Sequence, residues 1–219
     1  MENFTKIFII SHASVGGIAL VAGAIAILAK KGNNLHKKAG RIFYYTMLAS
    51  ALSALVICLL PGHESAFLFA IGVFSSYFII SGYRSLAFRR KPVINIKDRL
   101  LAYGILTTGL VMVLYPLILE GQLNIILTVF GIVGIAFGVR DVQLLHKPDV
   151  LKKAWLKLHL GKMMGGYNAA VSAFFVVNQI LPGVWNWFVP SIVGGVYISY
   201  WITKLNLAQR KVKRMASRS

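Results

Sequence analysis

Five histidines are spread along a chain of 219 residues that carries one cysteine and six acidic side chains. Three of them stand where an imidazole could do chemistry: His12 in "SHASVGG", His36 in "NNLHKKAGR" and His159 in "LKLHLGKMMGG". Neutral imidazole serves as a general base, a proton shuttle and the commonest metal ligand. His36 stands four residues before Gly40 and five before Arg41, and His159 four before Met163. An i,i+4 spacing places both members of a pair on one helical face, and a glycine there would let a neighbouring group approach His36 closely. The sequence has no CxxC, CxxCH or HExxH motif and no GxxxxGK[ST] phosphate cradle. Dithiol redox chemistry, covalent haem attachment, zinc proteolysis and P-loop chemistry therefore find no support.

The elements that position these histidines follow from composition. The chain is 57% hydrophobic with a mean hydropathy of +0.69, and only 14% of its residues are charged, against about a quarter in a soluble domain. Apolar runs of about 20 residues, the length that crosses a hydrocarbon core, recur throughout. Seven spans are expected, at about 6–29, 41–61, 66–86, 99–119, 122–140, 158–181 and 185–205, which makes an all-α bundle of transmembrane helices. Breakers separate them: "PGHES", "EGQ" and "LPGVWN". The first run lacks the basic start and small-residue cleavage site of a signal peptide. One transmembrane domain, 1–206, is expected, with a basic tail at 207–219.

All but one of the 24 lysines and arginines fall in residues 30–41, 84–99, 140–162 and after 203, the tail adding Lys204, Arg210, Lys211, Lys213, Arg214 and Arg218. The alternate loops have none and hold Glu64 and Glu120. The positive-inside rule then puts the N-terminus outside and the C-terminus in the cytoplasm. The net charge of +18 reads as topology and as contact with anionic inner-leaflet lipid. It is not the clustered basic face of a nucleic-acid-binding domain.

In this topology His36 and His159 both open spans at the cytoplasmic side and are expected to meet. His12 enters from the outside. It lies 18 residues before Lys30, about 27 Å along a helix, so an unbroken first helix keeps it from the inner pair. Asn178 is expected at a depth matching His12, and Asn168 lies in the same span as Asn178. His63 and His146 are expected to be exposed. The plain alternatives are that His36 and His159 are interfacial hydrogen-bonding residues and that Met163 packs. The glycines of "SHASVGG", "GIVGIAFG" and "GGYNAA" read as close-packing stripes. Trp185, Trp187 and Phe188 read as an interfacial belt, and Arg41 and the Arg140–Asp141 pair as headgroup contacts. All six acids are expected at loops or edges.

The runs "SHASVGGIALVAGAIAILAKKGNNLHKKAGRIFYYTML" and "HLGKMMGGYNAAVSAFFVVN" resemble an uncharacterised group of bacterial multi-pass membrane proteins, the domain of unknown function 2306 family. The resemblance covers about residues 8–200. It implies an inner-membrane location and marks His12, Gly23, Lys31, Gly32, His36, Gly40, Arg41, His159, Met163, Gly166 and Asn178. Lys37 and Lys162 stand where arginine is expected, which keeps charge but loses bidentate recognition. The family brings no established activity.

Three function classes remain. Histidines at helix ends, with a glycine making room, resemble those of transmembrane cytochromes, so His36 and His159, with His12 as an outer candidate, would hold b-type haem or a transition metal. A small-molecule or proton-coupled transporter would use His12, Asn168 and Asn178 as polar groups at depth, against which stands the expected lack of a buried carboxylate. A membrane assembly or sensor protein, homo-oligomeric or with a membrane-protein partner, would use the basic tail. No serine or carboxylate stands beside a base as hydrolysis would require, so no enzymatic activity is assigned.

Overall fold

The computed structural model describes residues 2–90 and 92–216; Lys91, Arg218 and the rest of 217–219, among the expected basic residues and tail, lie outside them. The described chain forms seven α-helices and no strand: α1 (Glu2–Leu28), α2 (Asn34–Ile57), α3 (Ala66–Arg84), α4 (Ile96–Glu120), α5 (Ile125–Leu145), α6 (Pro148–Asn178) and α7 (Trp185–Ala216), with a short 3-10 turn, Ser85–Arg89, after α3. Four helices, α1, α2, α4 and α5, are long and apolar enough to cross a membrane. Bulky apolar side chains stand on their outward faces, among them Ile10, Val21, Leu100 and Ile118, each more than half exposed. Water does not tolerate so continuous an apolar surface on a monomer, whereas lipid tails do.

Helix ends fall at the expected breakers. Asn33 caps α2 by accepting from the His36 amide at 2.8 Å, satisfying one of the amides that a helix start leaves without a partner. Asn124 caps α5 in the same way. Gly121 ends α4 in the left-handed region at φ 68°, where a Cβ is penalised. After α6 the buried Asn186 side chain ties the turn together, accepting from Leu181 N at 2.7 Å and donating to the Leu181 carbonyl. Three boundaries differ from expectation. α2 starts at Asn34, so His36 lies in its first turn; α6 starts at Pro148, ten residues early, with proline at the N-terminal position it favours. α7 runs unbroken through 207–216.

Close packing follows the small-residue stripes. Gly131, Gly134 and Gly138 of α5 face α4, and a Cβ at Gly109 would lie 2.6 Å from the Gly131 carbonyl oxygen, so the two backbones nearly touch. Gly23 of α1 admits the Tyr167 ring and Gly166 of α6 admits Ile79. Gly40 does not behave as expected: a Cβ there would meet nothing within 4 Å, so no neighbour closes over His36 at that glycine. α6 is the central helix, in contact with α1, α3, α5, α7 and the 3-10 turn.

Candidate functional site

His36 sits where α1 ends and α2 begins. Its Nδ1 lies 2.9 Å from the Ala26 carbonyl, one of the last-turn carbonyls of α1 that has no helical partner. Lys31 donates to the neighbouring Ile27 carbonyl and lies 3.4 Å from Ala26 O; burial against this helix end draws its ammonium pKa below the usual lysine range. Gly32 turns the chain at φ 82°. The "KKGNNLH" run thus closes one helix and opens the next.

His159, one turn before Met163 on α6, places Nδ1 2.9 Å from the Gly82 carbonyl of α3. Met163 packs on the same glycine, its sulfur 3.0 Å from where a Gly82 Cβ would be. His36 is thus held by the end of α1 and His159 by α3. His12 is held by α2, its Nδ1 2.9 Å from Ser50 O and 3.1 Å from Ser53 Oγ. Its expected depth partner, Asn178, is exposed and donates to Phe174 O of its own helix at 2.8 Å. The two do not meet. Arg41 and His63 are exposed, and exposed His146 bonds Val142 O four residues back.

His12, His36 and His159 share one arrangement: Nδ1 at hydrogen-bond distance from a main-chain carbonyl of another helix. That contact requires the proton on Nδ1, which leaves Nε2 as a lone-pair donor, the tautomer that metal-ligating histidines adopt. Among the described residues no three His, Cys, Asp or Glu side chains gather into a metal cage. His36 and His159 would each offer Nε2 to a haem or a metal ion, one donor apiece.

Two of the acids expected at loops or edges stand near helix ends but are buried, Asp98 and Asp141. Asp141 of α5 is buried; it accepts the phenol proton of Tyr77 of α3 at 2.7 Å and forms an ion pair with Lys162 of α6. Lys162 is only 6% exposed, and its ammonium stands 4.8 Å from the Tyr77 ring centroid. Asp141, expected with Arg140 as a headgroup contact, is turned inward instead. Asp98, at the start of α4, is likewise buried; Arg84 grips it through Nε at 2.9 Å and through a second nitrogen at 3.1 Å, a bidentate fork. Arg84 also donates to Val93 O and Asn95 Oδ1, which fixes the segment between α3 and α4.

The signal that could have found the first pair was present. Asp141 is the one acid between Glu120 and Asp149, and Lys162 interrupts an apolar, glycine-containing run. A lone acid and a lone base, each just inside an apolar run, must pair or pay heavily in desolvation. The chain matches no protein-family model, no curated protein and no solved structure.

Proposed function

We propose that this is a seven-span membrane protein of a bacterial inner membrane, N-terminus outside and C-terminus cytoplasmic, that binds a redox cofactor through His36 and His159. The seven spans extend the four helices of clear membrane character to α3, α6 and α7, and the orientation rests on the alternation of basic loops. Kinship with the domain of unknown function 2306 family belongs to the same proposal and rests on its two motif blocks. The observation that supports the cofactor reading is the tautomer: His36 of α2 and His159 of α6 each have Nδ1 on a main-chain carbonyl, which leaves Nε2 as the lone-pair donor. A b-type haem held there would supply one-electron chemistry, while these residues fix tautomer, orientation and access. His12 is the outer candidate ligand, with the same tautomer. Lys31 and Arg41, near the same ends of α1 and α2, would neutralise acidic groups of the cofactor and of inner-leaflet lipid.

The test is an absorption spectrum with metal analysis on protein purified in mild detergent. A Soret band at about 410–430 nm that sharpens on reduction is the outcome expected of histidine-ligated haem. His36→Ala and His159→Ala should lower bound cofactor together, while His146→Ala should not. Equal loss from all three would remove the pairing. A second reading, a proton-coupled carrier, is favoured by one specific observation: Asp98 and Asp141 are buried carboxylates, which removes the main objection to it.

A further inference from the structure

A cavity of about 360 Å³ lies between α3, α5, α6 and α7. It exists because α5 and α6 touch only sparsely while each packs tightly on another neighbour, α5 on α4 and α6 on α3 and α7. Its walls are apolar, with Phe74, Phe137 and Ile198 among them. Its two ends differ chemically. One end gathers Arg140, Lys157 and Lys162, three cations, around the single carboxylate of Asp141. Asp141 is already committed to Lys162 and Tyr77, and neither Arg140 nor Lys157 has a carboxylate partner among the described residues. The other end carries Ser172, Ser191 and Trp187.

From Lys157 to Ser172, fifteen residues of α6 span about 22 Å. The space is therefore long, greasy and cationic at one end, and its volume lies at the small end of the range for ligand pockets. We propose that it binds a single-chain amphiphile with one acidic headgroup, the acid on Arg140 and Lys157 beside the Lys162–Asp141 pair and the chain running along α6 towards Trp187. Charge complementarity selects the headgroup. The narrow volume selects one chain over the two of a phospholipid. Among the described residues no histidine lines the cavity.

The test uses the full chain in detergent micelles and a saturated fatty acid brominated at its methyl end, which quenches tryptophan at contact. Saturable quenching is expected, and Trp187→Phe should remove most of it, although three other tryptophans remain. Replacing both cations, R140Q with K157Q, should weaken the acid by about tenfold or more, the loss of a charge-assisted contact, and leave the brominated alcohol of the same length unchanged. Filling the cavity with A169W should abolish binding of both. All three variants must keep wild-type helical content, and the first two change residues outside the packed core. Four outcomes overturn the proposal: no saturable quenching, quenching that survives W187F, equal affinity for acid and alcohol, or displacement of the acid by two-chain phosphatidylglycerol at lower concentration than by unbrominated fatty acid.

Discussion

The Lys162–Asp141 pair makes the sharpest demand on the structure. The two side chains are 8% and 11% exposed, so each charge depends on the other. At an effective dielectric of about 20, opposite charges 4 Å apart attract by about 4 kcal/mol, and removing one partner of a buried pair costs about 3–5 kcal/mol. Lys162→Met leaves Asp141 with only the Tyr77 hydroxyl; Asp141→Asn leaves an ammonium against the Tyr77 ring. Each single variant should therefore be destabilised by about that amount. The double variant Lys162→Met with Asp141→Asn should recover most of the loss, giving a coupling energy of several kcal/mol. The assay is reversible unfolding in mixed micelles with rising SDS mole fraction, followed by circular dichroism. Lys152→Met, an exposed lysine of the same helix, should leave the midpoint unchanged. Additive losses, with coupling below about 0.5 kcal/mol, would mean that the charges are separately solvated and the reasoning is wrong.

Three further outcomes follow from particular contacts. Gly109→Ala sets a methyl 2.6 Å from the Gly131 carbonyl and should destabilise by about 1–3 kcal/mol in the same unfolding assay, whereas Gly104→Ala, one helix face away with open space, should not. His12→Ala removes the contacts to Ser50 and Ser53 that link α1 to α2 and should cost about 1–2 kcal/mol, with His12→Asn recovering part of it. For topology, in a Cys58→Ser background His63→Cys should react with a membrane-impermeant maleimide from outside and His146→Cys only after permeabilisation. The reverse pattern would invert the bundle.

Much of the fold was legible because length, breakers and apolar runs are local properties. "PGHES", "EGQ" and "LPGVWN" ended helices where expected, and the "GIVGIAFG" stripe met α4. The early start of α6 was not legible, since 148–157 is charged and reads as loop until Pro148 opens a helix. Of the site, His12 and Asn178 share an expected depth yet His12 bonds α2 and Asn178 its own helix, because depth fixes height in the bundle but not rotation about a helix axis. Rotation also hid Lys162. Counting charge by position assigned it to a basic loop, and only the contact across to α5 shows it pointing inward.

Polarity along the sequence decides which helix becomes the centre. α1, α4 and α5 are apolar enough to cross a membrane, and lipid can cover their outward faces. α6 carries His159, Lys162, Asn168 and Ser172 within four turns, a load no lipid-facing helix can expose without several kcal/mol of penalty. It must therefore be surrounded, and it is, by α1, α3, α5 and α7. Once central, its faces divide the chemistry. His159 and Met163 turn to α3 at Gly82, Lys162 turns to α5, and Asn168 packs on Gly194 of α7. Both candidate sites thus hang on the single turn 159–163, whose backbone is pinned at Gly82, where a Cβ would lie 3.0 Å from Met163 N. Gly82→Ala should then disturb both at once, lowering cofactor content and fatty-acid affinity together. A loss confined to one site would mean that the two faces of α6 are mechanically separate.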